Sequence, residues 1–339
     1  MNKKISMEKK IINSNFKFTK KFLYVMIVPI IILLVGVILS FTVGFNLGTD
    51  FTGSSSVKVY VNSEGTFEDV KSYDLNDSKD FDIVYEKVSA VFEENELKIV
   101  SYRSSSMKYD IIDGQAVEIV FQNNATSDEK INAENETLRQ ALIAEFEYAG
   151  YENAISSVGF SPAQSSYNWA IGILAAVVFG LICAIIYMMF RYDKSSWIVL
   201  ILQSALDILL FLSLLSIFRL TVNLTIGIAI FATFVMTIIN AFVFYSRMKE
   251  NIKSGIYQGM KNSDMADNNI KQGLFKKIML YAVMIILTFV LAIIAVEGVR
   301  EVALAIAIGL VVTFFTSTFF TPVVWSVVYK EKKKKQIQK

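Results

Sequence analysis

Asp207 is the carboxylate whose position most directly suggests chemistry. It lies near the middle of a long apolar run, and the other apolar runs of the chain contain no acidic residue. An ionisable group at that depth in a membrane costs about 2.5–3.5 kcal/mol to insert, so it is a candidate for moving ions. The alternative is a buried aspartate that holds helices together through hydrogen bonds, with Gln203 and Ser204 about one turn away.

Asn240 is a second polar residue at the end of an apolar run, directly before Ala241. An amide inside a membrane can hydrogen-bond between helices and contributes about 0.6–2 kcal/mol. The sequence favours this packing role. The polar string Ser246–Asn251 follows, and its Arg247 and Glu250 are interpreted as anchors of a helix end at the membrane interface.

Residue types that many enzymes use are scarce in this chain. It contains no histidine and one cysteine, Cys183, which lies in an apolar run. Zinc sites of the His/Cys type and acid–base catalysis by histidine are therefore excluded. No nucleophile–base pair or metal-ligand set is visible. The sequence predicts a protein that is not an enzyme, with no catalytic residue, metal or cofactor.

The elements that position these residues are six apolar runs in a chain that is 54% hydrophobic. Each run can cross a hydrocarbon core of about 30 Å as a helix, the form in which a single segment satisfies its own backbone. The runs are Phe22–Phe41, Trp169–Phe190, Trp197–Phe218, Leu224–Tyr245, Ile278–Val296 and Val302–Tyr329.

Charge orients these six helices. Residues 1–21 carry seven lysines, and the tail 330–339 carries six. The segment 44–167 has 22 acidic and nine basic residues, a net charge of −13. By the positive-inside rule both termini are cytoplasmic. The predicted order is a basic N-terminus (1–21), helix 1 (22–43), an extracytoplasmic domain (44–167), helices 2–6 (168–329) and a basic tail (330–339). The tail lysines indicate lipid contacts, and nucleic-acid binding is not expected.

The extracytoplasmic segment has an ordered pattern of short elements. Alternating runs predict strands over 55–62, 96–104, 115–123 and 153–160, and helical spacing predicts helices over 81–95 and 127–150. The order β-α-β-β-α-β is typical of ferredoxin-like domains. The predicted fold class is an α-helical polytopic membrane protein with six transmembrane helices and a ferredoxin-like α+β extracytoplasmic domain between helices 1 and 2.

The layout of one helix, a large outer domain and five helices is similar to half an RND-type transporter. Local motifs resemble the SecF family, membrane subunits that work with SecD beside the Sec translocation channel. "GTDFTGS" is similar to that family's G-x-D-F-x-G-G stretch, and "SRMKEN" to its D-R-I-R-E-N. The matching positions are Gly48, Asp50, Phe51 and Gly53 in the first motif and Arg247, Glu250 and Asn251 in the second.

Two positions depart from the family at groups tied to proton coupling. The family has Asn-Asp where this chain has Asn240-Ala241, and a functional arginine where Lys276 stands. The resemblance implies Asp207, Asn240 and Lys276 as ion-coupling candidates. Because Ala241 binds no proton, the titrating group is either Asp207 or a carboxylate of a partner. The sequence favours the partner, since Asp207 already has its own counterpart in the family.

The resemblance implies a bacterial cell-membrane subunit that assists preprotein export with ion-motive force, such as the proton-motive force. Its implied partners are a SecD-like subunit, a SecYEG-type channel, unfolded preproteins and membrane lipids. The small residues Gly227, Ala229 and Ala232 are expected to face the SecD-like subunit. Two alternatives remain: half of an RND-type exporter of lipids or small molecules, and a membrane scaffold with no transport cycle.

Overall fold

The computed structural model describes residues 11–12, 14, 16–61, 71–108, 113–125, 127–148, 151, 154–295 and 297–329. The interpretations of the first ten residues, of segment 62–70 and of the basic tail 330–339 lie outside the described residues. The chain divides into two compact units. A helical unit runs to Asn46 and resumes at Tyr167, and a sheet unit covers Leu47–Ser166.

The helical unit begins with α1 (Phe22–Thr42), an apolar helix that contains Pro29. The segment before it is tied to a later helix of the same unit. The Thr19 backbone N–H and hydroxyl both donate to Asp267, each at 2.9 Å. Lys17 pairs with Asp264 at 2.9 Å, and this hydrogen bond raises the pKa of the Lys17 ammonium.

The described residues of the sheet unit form two long helices and four strands. Its elements are α2 (Thr49–Thr52), β1 (Ser54–Tyr60), α3 (Ser78–Glu94), β2 (Lys98–Lys108), β3 (Asp113–Gln122), α4 (Asp128–Glu145) and β4 (Gly159–Ser161). The strand order is β2-β3-β1-β4, and all neighbours are antiparallel. This is the split βαβ arrangement of ferredoxin-like domains.

The core of the sheet unit follows from periodicity. Val57 and Val59 alternate inward on β1, while Val88 of α3 and Leu138 of α4 cover them, and all four are at most 1% exposed. Burial of each such side chain contributes about 1.5–3 kcal/mol. Asp77 caps α3 by accepting from the Lys79 N–H at 3.0 Å.

Two local predictions for the sheet unit differ from the structure. The last strand is shorter than predicted, because Ser156 takes over its pairing with Lys58. Ser156 N–H donates to the Lys58 carbonyl, and its hydroxyl accepts from the Lys58 N–H, both at 2.9 Å. Ser127 does precede α4 with extended backbone, but its side chain makes no capping hydrogen bond.

Five further helices complete the helical unit: α5 (Ser166–Arg191), α6 (Lys194–Ile217), α7 (Ile226–Lys253), α8 (Asn262–Ile294) and α9 (Glu297–Val328). With α1, six helices of the described chain are long and apolar enough to cross a membrane. All six predicted spans are thereby found. α7 and α8 extend past their apolar runs, so "SRMKEN" and residues 262–277 are helical.

The small residues of α7 do not form an open face. Ala229 is fully buried, and a Cβ at Gly227 would lie 2.7 Å from Ile173 Cδ1 of α5. The expectation that these residues face a partner chain is therefore wrong for Gly227 and Ala229, while Ala232 is partly exposed and the expectation for it stays a prediction. The sequence indicated small residues on α7 where close packing is possible, but a single sequence does not indicate whether they pack within the chain or against another.

Candidate functional site

Asp207 lies at the centre of the candidate site, on the inward face of α6. Its side chain is 0% exposed. Oδ2 accepts a hydrogen bond from the Thr237 hydroxyl of α7 at 2.6 Å. Oδ1 is buried and accepts no hydrogen bond of standard geometry from the described residues, although the carboxylate also interacts with the side chains of Thr316 and Gln203. A buried carboxylate with one unpartnered oxygen is under-compensated, so this oxygen is available to a proton or a cation.

Gln203, one turn earlier on α6, links that helix to α9. Its Oε1 accepts from the Thr321 hydroxyl at 2.7 Å. The neighbouring Ser204 hydroxyl is buried and has no hydrogen-bond partner in the described part of the chain. Polar atoms therefore extend along α6 beside Asp207.

The inward face of α9 contributes a row of hydroxyls. Thr313, Thr316, Ser317 and Thr321 are all buried, and their spacing of three, four and eight residues from the first places them on one side of a helix. Thr316 Oγ1 donates to the Val312 carbonyl at 3.1 Å within the helix. Sequence reasoning missed this row, although "TFFTSTFFT" shows it as polar residues at helical spacing within an apolar run.

A cation from α8 reaches the same hydroxyls. Lys277 Nζ donates to Ser317 Oγ at 2.6 Å and to Thr318 Oγ1 at 3.0 Å, and it lies 5.5 Å from the centre of the Phe314 ring. Its charge acts on Asp207 through space. Lys276, the residue that the sequence indicated, is exposed. A difference of one position turns a helical side chain by about 100°, so the neighbour faces inward.

Asn240 connects α7 with α8 beside the same row. Its Nδ2 donates to the Met236 carbonyl at 2.8 Å and to the Tyr281 hydroxyl of α8. The Tyr281 hydroxyl in turn lies 3.1 Å from Thr313 Oγ1. Asn240 thus makes an interhelical hydrogen bond, while the next residue, Ala241, is 1% exposed in an apolar cluster.

The residues of the "GTDFTG" motif build a turn within the sheet unit. Gly48 precedes α2, and the Asp50 carbonyl accepts from the Gln164 N–H at 2.8 Å. Phe51 is buried. Gly53 has φ +78°, and a Cβ there would lie 3.3 Å from Ala163 N, so glycine fits both the backbone and the space.

The residues of "SRMKEN" act at the end of α7. Asn251 Nδ2 donates to the Tyr257 hydroxyl at 2.8 Å and to Gln272 Oε1 of α8 at 2.9 Å. Glu250 is exposed. Arg247 rests on Gly273, where a Cβ would lie 1.5 Å from its guanidinium. These contacts hold α7 against α8.

We name the connected polar side chains of α6, α7, α8 and α9 the polar seam. It comprises Gln203, Asp207, Thr237, Asn240, Lys277, Tyr281, Thr313, Thr316, Ser317 and Thr321. Its titratable groups are a carboxylate, an ammonium and a phenol. Among the described residues no cluster of three or more His, Cys, Asp or Glu side chains is arranged to hold a metal ion. The buried carboxylate of Asp207 gives the seam a group that can take up a proton or a monovalent cation inside an apolar bundle.

Comparison with known proteins gives consistent matches. Residues 143–331 match the family model described as protein export membrane protein SecD/SecF, C-terminal. The chain is 22% identical over 325 residues to the protein translocase subunit SecF of Petrotoga mobilis, covering 94% of this chain and 98% of that protein. It is 24% identical over 307 residues to SecF of Helicobacter pylori, covering 88% and 83%.

Solved structures show the same fold. A crystal structure of SecDF in a super-membrane-facing form matches with a TM-score of 0.62 at 18% identity, and one of SecDF from Thermus thermophilus with 0.55 at 19%. These matches cover 93% and 92% of this chain. The chain spans about two fifths of those proteins, 39% and 38% of their length. Because the family model covers more than half of it, the chain belongs to the SecD/SecF family of protein export membrane proteins, as a SecF-type subunit.

Proposed function

We propose that this chain assists preprotein export as an accessory subunit of the Sec translocase and uses ion-motive force together with a SecD-like partner. The polar seam carries the proposal, because Asp207 places a carboxylate with an unpartnered oxygen inside the bundle. The proposal also includes a SecYEG-type channel and unfolded preproteins as partners.

The lengths of the relatives support the SecD-like partner. The protein translocase subunit SecDF of Brucella abortus is matched over 82% of this chain but only 32% of its own length. The solved SecDF chains likewise extend well beyond the matched part. A SecD-like subunit would supply the remainder, giving a twelve-helix body of the parallel-repeat kind.

The coupling step is a change of charge at Asp207. Uptake of a proton or a monovalent cation neutralises the carboxylate and weakens its attraction to Lys277. A proton on Oδ2 would also disturb the hydrogen bond from Thr237. Each charge that crosses 100 mV supplies about 2.3 kcal/mol, so a few charges suffice to shift a balanced equilibrium between two arrangements of α6–α9.

Two candidates exist for the titrating group, Asp207 and a carboxylate of the partner. The sequence favoured the partner, whereas the polar seam favours Asp207. In the structure, the position next to Asn240 holds the buried Ala241, whereas Asp207, Lys277 and Tyr281 bring titratable groups into one bundle. We assign the first titration step to Asp207, with Lys277 as its counter-charge. The orientation expected from charge, with both termini cytoplasmic, is part of this proposal.

The first prediction concerns Asp207→Asn in vesicles that contain the full chain, a SecD-like subunit and the channel. The variant keeps the shape of the side chain but removes its titrating charge, so ion-driven stimulation of secretion should fall to the level without a gradient. Secretion with and without an imposed gradient is the measurement.

Asp193→Asn is the control, since Asp193 is exposed at the start of α6 and should behave like the wild type. Retained stimulation in an assembled Asp207→Asn complex would contradict the assignment and return the relay to the partner. The scaffold alternative, which the buried Ala241 favours, predicts instead that a gradient stimulates neither the wild type nor the variant.

A further inference from the structure

A cavity of about 180 Å³ lies between α7 and α8 and reaches Ser317 of α9. Asp207 does not line it, but the cavity borders the polar seam at Asn240, Lys277 and Ser317. Three cationic side chains line it, Arg247, Lys276 and Lys277, and no carboxylate does. Most of the remaining lining is apolar, including Ile239 and Val243 of α7, which are 43% and 47% exposed. The cavity thus combines a basic part with walls that open outward from the bundle.

Two of its polar side chains, Arg247 and Asn269, are incompletely partnered, whereas Lys277 donates to Ser317 and Thr318. Arg247 makes no hydrogen bond or ion pair with the described residues, although its guanidinium is partly buried over Gly273. Asn269 is 1% exposed and lines the cavity, and its Oδ1 is buried and accepts no hydrogen bond from the described chain. The cavity therefore offers a positively charged donor, Arg247, and a hydrogen-bond acceptor without a partner, Asn269 Oδ1. Together these suit an anion that also carries a hydroxyl.

The position of the cavity along α7 corresponds to the surface of a membrane. Arg247 stands 21 residues after Ile226, the first residue of α7, which corresponds to about 32 Å along a helix. The hydrocarbon core is about 30 Å thick. Arg247 is therefore placed at the level of lipid phosphates, while Ile239 and Val243 lie two and one turns deeper, at the level of acyl chains.

We propose that this cavity binds one anionic phospholipid of the phosphatidylglycerol type. The phosphate pairs with Arg247 and Lys276, a headgroup hydroxyl donates to Asn269 Oδ1, and one acyl chain lies along Ile239 and Val243. Basic pockets between transmembrane helices bind anionic headgroups in this way. A free inorganic anion would use the cations but leave the apolar walls uncovered. Lipid binding itself needs neither an ion gradient nor a partner, so it can be tested apart from the proposed function although the cavity shares Lys277 with the polar seam.

The test measures lipid retained by the purified, delipidated full chain, by native mass spectrometry after titration with phosphatidylglycerol. Arg247→Gln should lower occupancy about tenfold. Lys276→Gln, at an exposed position that cannot disturb packing, should lower it several-fold. Arg191→Gln, the same change at the exposed end of α5, should leave it within twofold of the wild type.

Three results would overturn the proposal. These are equal occupancy in Arg247→Gln and wild type, equal retention of phosphatidylcholine, and displacement of phosphatidylglycerol by millimolar inorganic phosphate. The last would identify a free-anion site. Size-exclusion profiles show whether each variant is folded. If Arg247→Gln does not fold, the result for Lys276→Gln decides the outcome.

Discussion

At the scale of single residues, Asp207 is a fully buried carboxylate of α6 that accepts a hydrogen bond from Thr237. The sequence indicated it as a candidate because a carboxylate in hydrocarbon is costly and rarely without a role. It contained less about Lys277, which stands at the edge of its apolar run, where a snorkelling lysine is equally expected. The direction of that side chain depends on how α8 is rotated about its own axis relative to α9, which one sequence does not specify.

The hydrogen bond between Thr237 and Asp207 gives a prediction at this scale. Thr237→Val keeps the shape but removes the donor, so the Asp207 carboxylate loses its one hydrogen bond of standard geometry to a described residue. The free energy of unfolding in mixed micelles should fall by about 1–3 kcal/mol, whereas Thr237→Ser should lose well under half of that.

A double-mutant cycle tests the cause of that loss. In an Asp207→Leu background there is no carboxylate to partner, so Thr237→Val should then change the unfolding free energy by less than about 0.5 kcal/mol. An equal cost in both backgrounds would show that the loss comes from packing of Thr237 rather than from its hydrogen bond.

At the scale of elements, hydropathy predicted the six helices but not where they end. α7 and α8 continue through charged sequence because Asn251 and Gln272 hydrogen-bond across them. In the sheet unit, alternation predicted the strands, and the fourth was shortened by the side-chain pairing of Ser156. Such ends depend on contacts between elements, which are absent from a local pattern.

The crossing of α1 and α6 gives a prediction at this scale. A Cβ at Gly36 would lie 2.3 Å from Ser213 Cβ and 2.5 Å from its Cα. Backbone must therefore move, and Gly36→Ala should cost about 1–3 kcal/mol of unfolding free energy. The melting temperature in detergent reports it.

Gly172→Ala on α5 is the matched control, since a Cβ there meets nothing within 4 Å. This change should be neutral or stabilise the helix by up to about 1 kcal/mol. Equal melting temperatures of Gly36→Ala and wild type would mean that α1 does not pack this closely on α6.

At the scale of the whole molecule, charge rather than fold indicates orientation. The near-neutral total of +2 conceals an acidic segment 44–167 of 22 acidic and nine basic residues beside basic segments elsewhere. Positive charge is retained on the cytoplasmic side during insertion. The charge distribution therefore predicts that segment 44–167 lies outside the cell and that both termini lie inside it.

Labelling of intact cells with an impermeant thiol reagent tests that sidedness in a Cys183→Ala background. Ser78 of the sheet unit and Ser254 after α7 are both exposed, so a cysteine at either is accessible once the reagent reaches its side. Ser78→Cys should be labelled from outside at least tenfold more than Ser254→Cys, and permeabilised cells should show both equally. Stronger labelling of Ser254→Cys in intact cells would reverse the orientation and place the Arg247 cavity in the outer leaflet.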